Sequence, residues 1–223
     1  MTLAKRSLDL AVSIVGVLVL SPLLLLLAAL VKAEDGGSVF FMQERVGRAG
    51  RPFRMWKFRT MVPDASALGL PLTAAGDRRI TRIGAWLRAH KLDELPQLFN
   101  VMRGEMTLVG PRPEVPKYVE MYTPEERRVL DLDPGITDPA SILFADEGEL
   151  LADQPDPERF YIEKVVPEKI RINLDYADRA TPLSDLAVVL ETVGHVLPVR
   201  PSSKQAREFA ANVRTNQSSK ELA

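Results

Sequence analysis

An uncharged apolar run near the N-terminus is the feature that most constrains what this chain can fold into. It covers the 22 residues from Leu10 to Val31, LAVSIVGVLVLSPLLLLLAALV, with Lys5 and Arg6 before it and Lys32 after it. About 20 helical apolar residues suffice to cross the hydrocarbon core of a bilayer. We therefore expect this segment to attach the chain to a membrane.

Three interpretations of the apolar run compete. A secretory signal peptide is disfavoured, because its apolar region normally has about 7 to 15 residues. A single spanning helix fits the length, and the positive-inside rule would then place everything after Lys32 outside the cell. The third interpretation uses Ser21-Pro22 in the middle of the run. Proline removes a helical hydrogen bond and Ser21 can bond the freed carbonyl, so a bent helix can return to the face it entered. The pattern itself does not separate the last two.

Composition limits the chemistry that the chain can perform. Its 223 residues contain no cysteine and two histidines, His90 and His195. Disulfides, thiolate metal sites, a cysteine nucleophile and a histidine-rich metal site are therefore excluded. Any reaction must use carboxylates, amines, guanidinium groups or hydroxyls.

The charges are divided unevenly along the chain. Residues 44–91 carry 11 Lys or Arg against 3 acids, whereas residues 120–191 carry 18 acids against 7 bases. The basic stretch indicates a surface for anions such as phosphates or lipid headgroups. The alternative is that the two regions face each other within one fold.

Local patterns predict a small β-hairpin followed by helices. Residues 39–42 and 53–60 are strand candidates, and the turn VGRAGR lies between them. In residues 80–91 the apolar positions Ile83, Trp86 and Leu87 have helical spacing with basic residues between them. This pattern is typical of an amphipathic helix in a bilayer interface and equally of a helix that packs on the core.

Three further helices are predicted in the second half of the chain. Thr123-Pro124-Glu125-Glu126 is a capping box. Asp156-Pro157 begins a helix that Pro167 should interrupt or end. Ser184 begins a last apolar helix that reaches about Leu197. We therefore expect an α+β, predominantly helical fold with a membrane helix in residues 1–35, a surface domain in 36–197 and a mobile polar tail in 198–223.

The segment from Leu92 to Glu114 carries the candidate chemistry. Its apolar residues predict a helix from about Asp93 to Gly104, because Pro96 is tolerated only in a first turn. This start places Asp93 and Glu94 at a helix N-terminus, which also attracts phosphate. They can be a catalytic pair, or Asp93 can be an ordinary N-cap with Glu94 as a first-turn acid.

Arginines on either side of this pair favour the catalytic interpretation. Arg88 lies about one turn before it, and in Gly110-Pro111-Arg112-Pro113 two prolines stiffen a loop that presents Arg112. Carboxylates beside fixed arginines suit a reaction on a diphosphate with a divalent metal. The chain has no Walker loop and no Rossmann fingerprint, so the usual nucleotide-binding folds are not indicated.

These motifs together resemble the bacterial sugar transferases, also called monotopic phosphoglycosyl transferases. The matching stretches are VFFMQERVGRAGRPFRMWKFRTM (39–61), DRRITRIGAWLRAHKLDELPQLFNVMRGEMTLVGPRPE (77–114) and DPGIT (133–137), together with the helix that contains Ser21-Pro22. The likeness covers roughly Lys5 to Thr137. Larger relatives carry extra spanning helices before the catalytic region, and the resemblance here is to the small form.

The resemblance implies a re-entrant helix, with Lys5 and the catalytic domain on the cytoplasmic face of the bacterial inner membrane. It also implies transfer of a sugar 1-phosphate from a UDP-sugar to a polyprenyl (undecaprenyl) phosphate with release of UMP. Such a transfer is the first membrane step of glycoconjugate biosynthesis, for example of an exopolysaccharide.

The resemblance also implies roles for individual residues. Asp93 would be the nucleophile that forms a covalent phosphosugar intermediate, with Mg²⁺ at the Asp93-Glu94 pair. Glu94 would hold the metal or assist the acceptor, and both roles stay open. Arg88 and Arg112 would hold phosphate oxygens, and Lys57 and Arg59 would aid the same anionic site. The expected partners are the UDP-sugar, polyprenyl phosphate and the phospholipid membrane, not nucleic acid, and a homodimer stays open.

The sequence departs from the family pattern at one place. Many relatives continue PGIT with Gly and then Trp, whereas this chain has Asp138-Pro139-Ala140-Ser141. The departure leaves the identity of the sugar undetermined. Two other functions compete with the transferase: a membrane-attached hydrolase that uses the same groups, and a non-catalytic scaffold that binds anionic lipid.

Overall fold

The computed structural model describes residues 2–63, 65, 77–145, 147–152 and 154–196, without the side chains of 195 and 196. The predicted tail, 198–223, and the end of the predicted last helix lie outside these residues. The described chain is mostly helical with two small sheets, which confirms the predicted α+β class. The helices are α1 (Leu3–Asp35), α2 (Arg82–Ala89), α3 (Gln97–Arg103), α4 (Pro116–Val119), α5 (Pro139–Leu143), α6 (Glu147–Ala152), α7 (Pro157–Phe160), α8 (Val166–Ala177) and α9 (Pro182–Val196). The strands are β1 (Phe40–Val46), β2 (Pro52–Phe58), β3 (Thr107–Val109) and β4 (Gly135–Thr137).

Helix α1 contains the apolar run and is the one described helix long and apolar enough to cross a membrane. Its helical backbone continues without interruption through Pro22, so the expected break of the helix at Ser21-Pro22 is not present. A proline at this position leaves the carbonyl of Leu18 without its helical donor. The Ser21 hydroxyl donates to that carbonyl at 2.8 Å, which confirms the predicted compensation.

The N-terminal end of α1 is attached to the rest of the fold through polar contacts. The Lys5 ammonium donates to the Val109 carbonyl at 3.1 Å, and Arg6 donates to carbonyls at the end of α3. One turn later, the buried carboxylate of Asp9 accepts a hydrogen bond from the Thr107 hydroxyl. These are directional contacts, so they determine which side of α1 faces the domain.

The C-terminal end of α1 packs on the same folded unit through apolar contacts. Leu27 and Val31 are buried against Phe58 of β2 and Leu87 of α2. The opposite side of α1 leaves large apolar side chains exposed along its length, among them Val15, Leu18, Val19, Leu25 and Leu26. Both ends of the apolar helix therefore contact one domain, and the exposed residues between Leu8 and Leu30 are all apolar.

Strands β1 and β2 form the predicted antiparallel hairpin. Their register runs from Phe40 opposite Phe58 to Val46 opposite Pro52. The connecting turn contains a short 3₁₀ segment, Arg48–Gly50. Because side chains alternate across a strand, β2 sends its central side chains in turn to opposite faces of the hairpin.

Helix α2 confirms the helix predicted in residues 80–91. The Thr81 hydroxyl caps it by accepting from the Gly84 backbone N–H at 2.9 Å. A Cβ at Gly84 would lie 2.1 Å from the Thr60 carbonyl oxygen, so only glycine permits this close approach. Leu87 is fully buried, whereas Trp86 is 46% exposed. The helix packs on the core, and the interfacial role of Trp86 stays a prediction.

Strand β3 pairs in parallel with β4, which belongs to the DPGIT stretch. Thr107 lies opposite Gly135, and Val109 lies opposite Thr137. A Cβ at Gly135 would lie 2.2 Å from the Gly110 nitrogen. The two glycines let the chain segments meet at the point where the proline-flanked arginine loop begins.

The helix starts predicted at Thr123 and Asp156 are confirmed by their caps. The Thr123 hydroxyl accepts from the Glu126 N–H at 3.2 Å, and the Glu126 carboxylate accepts from the Thr123 N–H at 2.8 Å. The helix after this box is a 3₁₀ helix, Glu126–Asp131. Asp156 accepts from the Arg159 N–H at 3.0 Å and caps α7.

The α-helix that begins at Pro157 is interrupted just before Pro167, as predicted, because α7 ends at Phe160 and α8 begins at Val166. The chain stays helical from α7 to α8 through a π-helical turn, Tyr161–Val165. In that turn the Val166 N–H bonds the Tyr161 carbonyl five residues back. This register places Pro167 in the first turn of α8, where proline is tolerated. The last helix, α9, begins at Pro182 rather than at Ser184, because Thr181 and Ser184 cap each other's backbone N–H groups.

Candidate active site

The Asp93-Glu94 pair lies in a tight turn between α2 and α3. Lys91 adopts a left-handed conformation with φ of 52°, which turns the chain back after α2. A 3₁₀ turn, Leu92–Glu94, follows before α3 begins at Gln97. Pro96 has no N–H for the Leu92 carbonyl, which accepts from Leu95 instead. The predicted helix thus has a 3₁₀ start, and it ends at Gly104 as predicted.

Asp93 is a buried carboxylate without a hydrogen-bond partner among the described residues. It is 6% exposed, and no described donor lies within hydrogen-bond distance of its side chain. The N-cap interpretation is therefore wrong, since α3 is preceded by Pro96 and has no side-chain cap. Burial and the neighbouring charge of Glu94 raise the pKa of Asp93 against the attraction of Lys57, Arg88 and Arg112. A desolvated carboxylate with free lone pairs has the character of a nucleophile.

Glu94 has the opposite surroundings, because two cations hold both of its oxygens. Arg112 donates from Nη1 to Oε2 at 2.9 Å and from Nη2 to Oε1, so the pair is bidentate. The Lys57 ammonium donates to Oε1 at 3.1 Å. Burial would raise the pKa of Glu94, but the charges and hydrogen bonds of Arg112 and Lys57 outweigh it and hold the pKa well below its usual value. The two adjacent carboxylates thus differ in their partners and in the direction of their pKa shifts.

Lys57 reaches the pair from strand β2. Its ammonium is desolvated, and burial lowers its pKa despite the charge of Glu94. The charge of Lys57 also acts on Asp93. The strand alternation places Lys57 on the side of the carboxylates and the neighbouring Trp56 against Phe99 and Phe40.

The loop that carries Arg112 is held by the DPGIT stretch. The Gly110 N–H donates to the Thr137 carbonyl at 3.0 Å, and the Gly135 N–H donates to the Pro111 carbonyl at 3.0 Å. These bonds extend the parallel pair of β3 and β4 into the loop. The fold therefore explains why DPGIT matters to a site that lies 40 residues earlier in the chain: it supports the loop that carries the arginine.

Arg88 approaches Asp93 from the last turn of α2. Its Nε donates to the Thr60 hydroxyl at 2.8 Å. Burial lowers the pKa of Arg88, and among the neighbouring acids Asp93 opposes this effect most strongly. Sequence reasoning missed Thr60. The signal was its place directly after Arg59 in FRT, but a threonine at a strand end has many ordinary explanations.

Arg59 lies apart from the carboxylate pair. Its guanidinium pairs with both oxygens of Asp35 at the end of α1, and its Nε donates to the Ser38 carbonyl at 2.6 Å. The structure therefore brings together Asp93, Glu94, Lys57, Arg88 and Arg112, and it places Arg59 at the junction of α1 and the hairpin. A role for Arg59 toward substrate stays a prediction.

The donor set can be compared with what Mg²⁺ requires. The described residues contain no group of three or more acidic or histidine side chains that could hold a metal. Mg²⁺ is, however, usually bound by one or two carboxylates together with substrate phosphates. Asp93 has free oxygens, whereas those of Glu94 are taken by cations. The residues fit a magnesium ion that is bound mainly by the phosphate oxygens of a diphosphate, with Asp93 as its protein ligand.

Comparison with known proteins decides the family. The sequence profile described as "Bacterial sugar transferase" matches residues 1–198. The chain belongs to the bacterial sugar transferases. The match includes α1, the hairpin, the carboxylate turn, the arginine loop and the C-terminal helices, so it covers more of the chain than the motifs that suggested the resemblance.

Several relatives in this family are named for undecaprenyl-phosphate chemistry. The UDP-glucose:undecaprenyl-phosphate glucose-1-phosphate transferase of Caulobacter vibrioides is 35% identical over 198 residues, which cover 87% of this chain and 70% of that protein. The undecaprenyl-phosphate glucose phosphotransferase of Komagataeibacter xylinus is 44% identical over 160 residues, 67% of this chain and 29% of that protein. The UDP-N-acetylgalactosamine-undecaprenyl-phosphate N-acetylgalactosaminephosphotransferase of Aeromonas hydrophila is 42% identical over 121 residues, 54% of this chain and 29% of that protein.

The chain thus spans less than a third of two of these transferases and more than two thirds of the third. The names of these relatives differ in the sugar. At the departure from the family pattern, Asp138 caps α5 by accepting from the Ser141 N–H at 2.9 Å. The departing residues therefore have a structural function in this member of the sugar transferases.

Proposed function

We propose that this chain transfers a sugar 1-phosphate from a UDP-sugar to polyprenyl (undecaprenyl) phosphate and releases UMP, through a covalent adduct on Asp93. The observation that carries the proposal is that two adjacent carboxylates in one turn have opposite surroundings. Asp93 is buried and unpartnered among the described residues, while Glu94 beside it is saturated by cations. The names of the relatives supply the class of donor and acceptor.

In the first half-reaction, a carboxylate oxygen of Asp93 attacks the phosphorus that bears the sugar. The bond from this phosphorus to the bridging oxygen breaks, and UMP leaves with the electron pair. Arg112 and Arg88 bind oxygens of the diphosphate, since a planar guanidinium can grip two of them at once. Lys57 adds a third positive charge beside the attacking carboxylate.

In the second half-reaction, a phosphate oxygen of the polyprenyl phosphate attacks the same phosphorus. The bond to Asp93 breaks, and the free carboxylate is restored. Glu94 holds Arg112 and Lys57 in place throughout, because its two oxygens are committed to them. The sequence left two roles open for Glu94, as a ligand of the metal and as an assistant to the acceptor. These contacts support a third role instead, in which Glu94 positions the two cations.

A bound Mg²⁺ would neutralise negative charge on the diphosphate and on departing UMP. Asp93 is the residue of the pair with oxygens free to touch it. The arginines and Lys57 provide further positive charge from the protein itself.

The proposed function is tested by supplying a panel of UDP-sugars with polyprenyl phosphate to the membrane-embedded protein. We expect UMP and a lipid-linked sugar diphosphate in equal amounts with at least one donor. Repeated UMP release without acceptor would instead indicate a hydrolase. Binding of anionic vesicles without turnover of any donor would indicate a scaffold.

We also propose that α1 is re-entrant, with both ends on the cytoplasmic face of the bacterial inner membrane. Both ends of α1 contact the same domain, through Lys5 and Arg6 at one end and Leu27 and Val31 at the other. A domain on one side of the bilayer could contact only one end of a helix that crosses the hydrocarbon core. Separately, the formation of a homodimer by this chain stays a prediction.

Cysteine labelling tests this topology without background, since the chain has no cysteine. Thr2→Cys and Ser38→Cys lie just outside the two ends of α1. In intact inner-membrane spheroplasts, both are expected to resist a membrane-impermeant maleimide and to react after permeabilisation. Reaction of one position alone in intact spheroplasts would show that α1 spans. Pro22→Leu should shift part of the population toward that result.

A further inference from the structure

The loop Pro111–Glu114, which presents Arg112, is held from a second side by the end of strand β1. The Arg45 guanidinium donates from Nη1 to the Pro113 carbonyl at 3.0 Å. The Val46 N–H donates to the Glu114 carbonyl at 2.9 Å. With the DPGIT contacts on the other side, the loop backbone is fastened on both flanks of Arg112.

The side chain of Glu114 connects this loop to helices far along the chain. One carboxylate oxygen accepts from the Tyr161 hydroxyl, and the other lies 3.7 Å from Arg45 Nη1. Arg45 Nε is buried and without a partner in the described structure, so the placement of this guanidinium depends on its remaining contacts. Tyr161, Glu114 and Arg45 therefore form a chain of contacts that ends at the arginine loop.

Tyr161, which donates to Glu114, lies at the junction of α7 and the π-helical turn. It is the first residue of that turn, which shifts the helical register by one residue before α8. Single π-helical turns occur frequently at functional sites. Tyr161 is 3% exposed, and burial raises its pKa well above the usual value, so its hydroxyl stays a donor to the carboxylate.

We propose that Tyr161 is a positioning residue for Arg112, which it orients through Glu114 and Arg45. The proposal rests on the proposed role of Arg112 in binding the donor diphosphate. Its physical basis is that a loop with two prolines has few internal hydrogen bonds, so the external contacts determine where the backbone that carries Arg112 lies. The buried network is sensitive to the loss of Tyr161, since Glu114 Oε1 then loses the hydroxyl that donates to it.

Tyr118 provides a matched control. It is also 3% exposed, and its ring lies 5.3 Å from that of Tyr161 in an edge-to-face contact. Its hydroxyl donates to Glu158 at 3.1 Å instead of to the arginine loop. Tyr161→Phe and Tyr118→Phe thus each remove one buried hydroxyl from the same core cluster and keep the ring.

We expect Tyr161→Phe to lower kcat/KM for the UDP-sugar about tenfold through a raised KM, and Tyr118→Phe to change it less than twofold. In an Arg112→Lys background, Tyr161→Phe should cost less than twofold, because the group that it positions has already been lost. Equal effects of the two Tyr→Phe changes, or the same fold loss in both backgrounds, would overturn the proposal.

A second measurement does not depend on the proposed activity. Peptide-level hydrogen exchange of segment 108–115 should accelerate severalfold in Tyr161→Phe at unchanged thermal midpoint relative to Tyr118→Phe. Unchanged exchange there would overturn the positioning role whatever the enzyme does. Accelerated exchange in a protein that transfers no sugar phosphate would uphold the contact network and contradict the proposed function alone.

Discussion

Asp93→Asn is expected to abolish both transfer and covalent labelling. The change keeps the shape of the side chain and removes the charge that attacks phosphorus. Because the site has no second free carboxylate in the described turn, Glu94 being bound to Arg112 and Lys57, no neighbouring group can replace it. Loss of at least a thousandfold in kcat follows if turnover requires the adduct.

The measurement is incubation of the membrane-embedded protein with donor labelled in the sugar phosphate and without acceptor. The wild type should bind at most about one label per chain, release UMP in the same amount and lose the label when polyprenyl phosphate is added. Asp175→Asn is a control, because Asp175 is an exposed acid that pairs with Arg171 outside the site. Transfer by Asp93→Asn at the wild-type rate would falsify the covalent mechanism.

Glu94→Gln is expected to reduce transfer by about a hundredfold or more, and to reduce formation of the adduct itself. The amide keeps the size of the side chain but withdraws the charge that holds Arg112 and Lys57 together. Two buried cations then lack their counter-charge and move apart, and a displacement of about 1 Å in a positioning group can cost a hundredfold in rate.

The same labelling experiment, run with excess donor, tests this role. Glu158→Gln is the matched control, because it neutralises a carboxylate that pairs with Lys117 away from the site. A Glu94→Gln variant that labels at the wild-type rate and fails only to discharge would contradict the positioning role. That result would assign Glu94 to activation of the acceptor.

Several elements follow from signals that lie within a few residues of each other. The hairpin is marked by two apolar strands around a glycine-arginine turn, and the starts at Thr123 and Asp156 are marked by their caps. The hydrogen bond from the Ser21 hydroxyl to the carbonyl that Pro22 leaves without a donor is equally local. Such features are predictable because both partners of each hydrogen bond stand close together in the chain.

The roles of the cations required the tertiary structure. Lys57 and Arg59 both lie in the motif KFRT and were both expected at the anionic site, yet only Lys57 contacts the carboxylate pair. Arg59 is taken by Asp35, which α1 places beside it. Neither the alternation of a strand nor the charge count specifies which opposing element will supply a partner.

The sequence by itself determined the long apolar helix, the hairpin, the family and the set of candidate site residues. Only the tertiary structure decided that Asp93 is unpartnered within the described residues, that Glu94 is saturated and that Tyr161 reaches Glu114 across 47 residues of sequence. Local structure depends on hydrogen bonds between near neighbours. The charge and partner of a buried side chain depend instead on which distant segments pack against it, and here the close approach of Gly110 and Gly135 brings the arginine loop against β4.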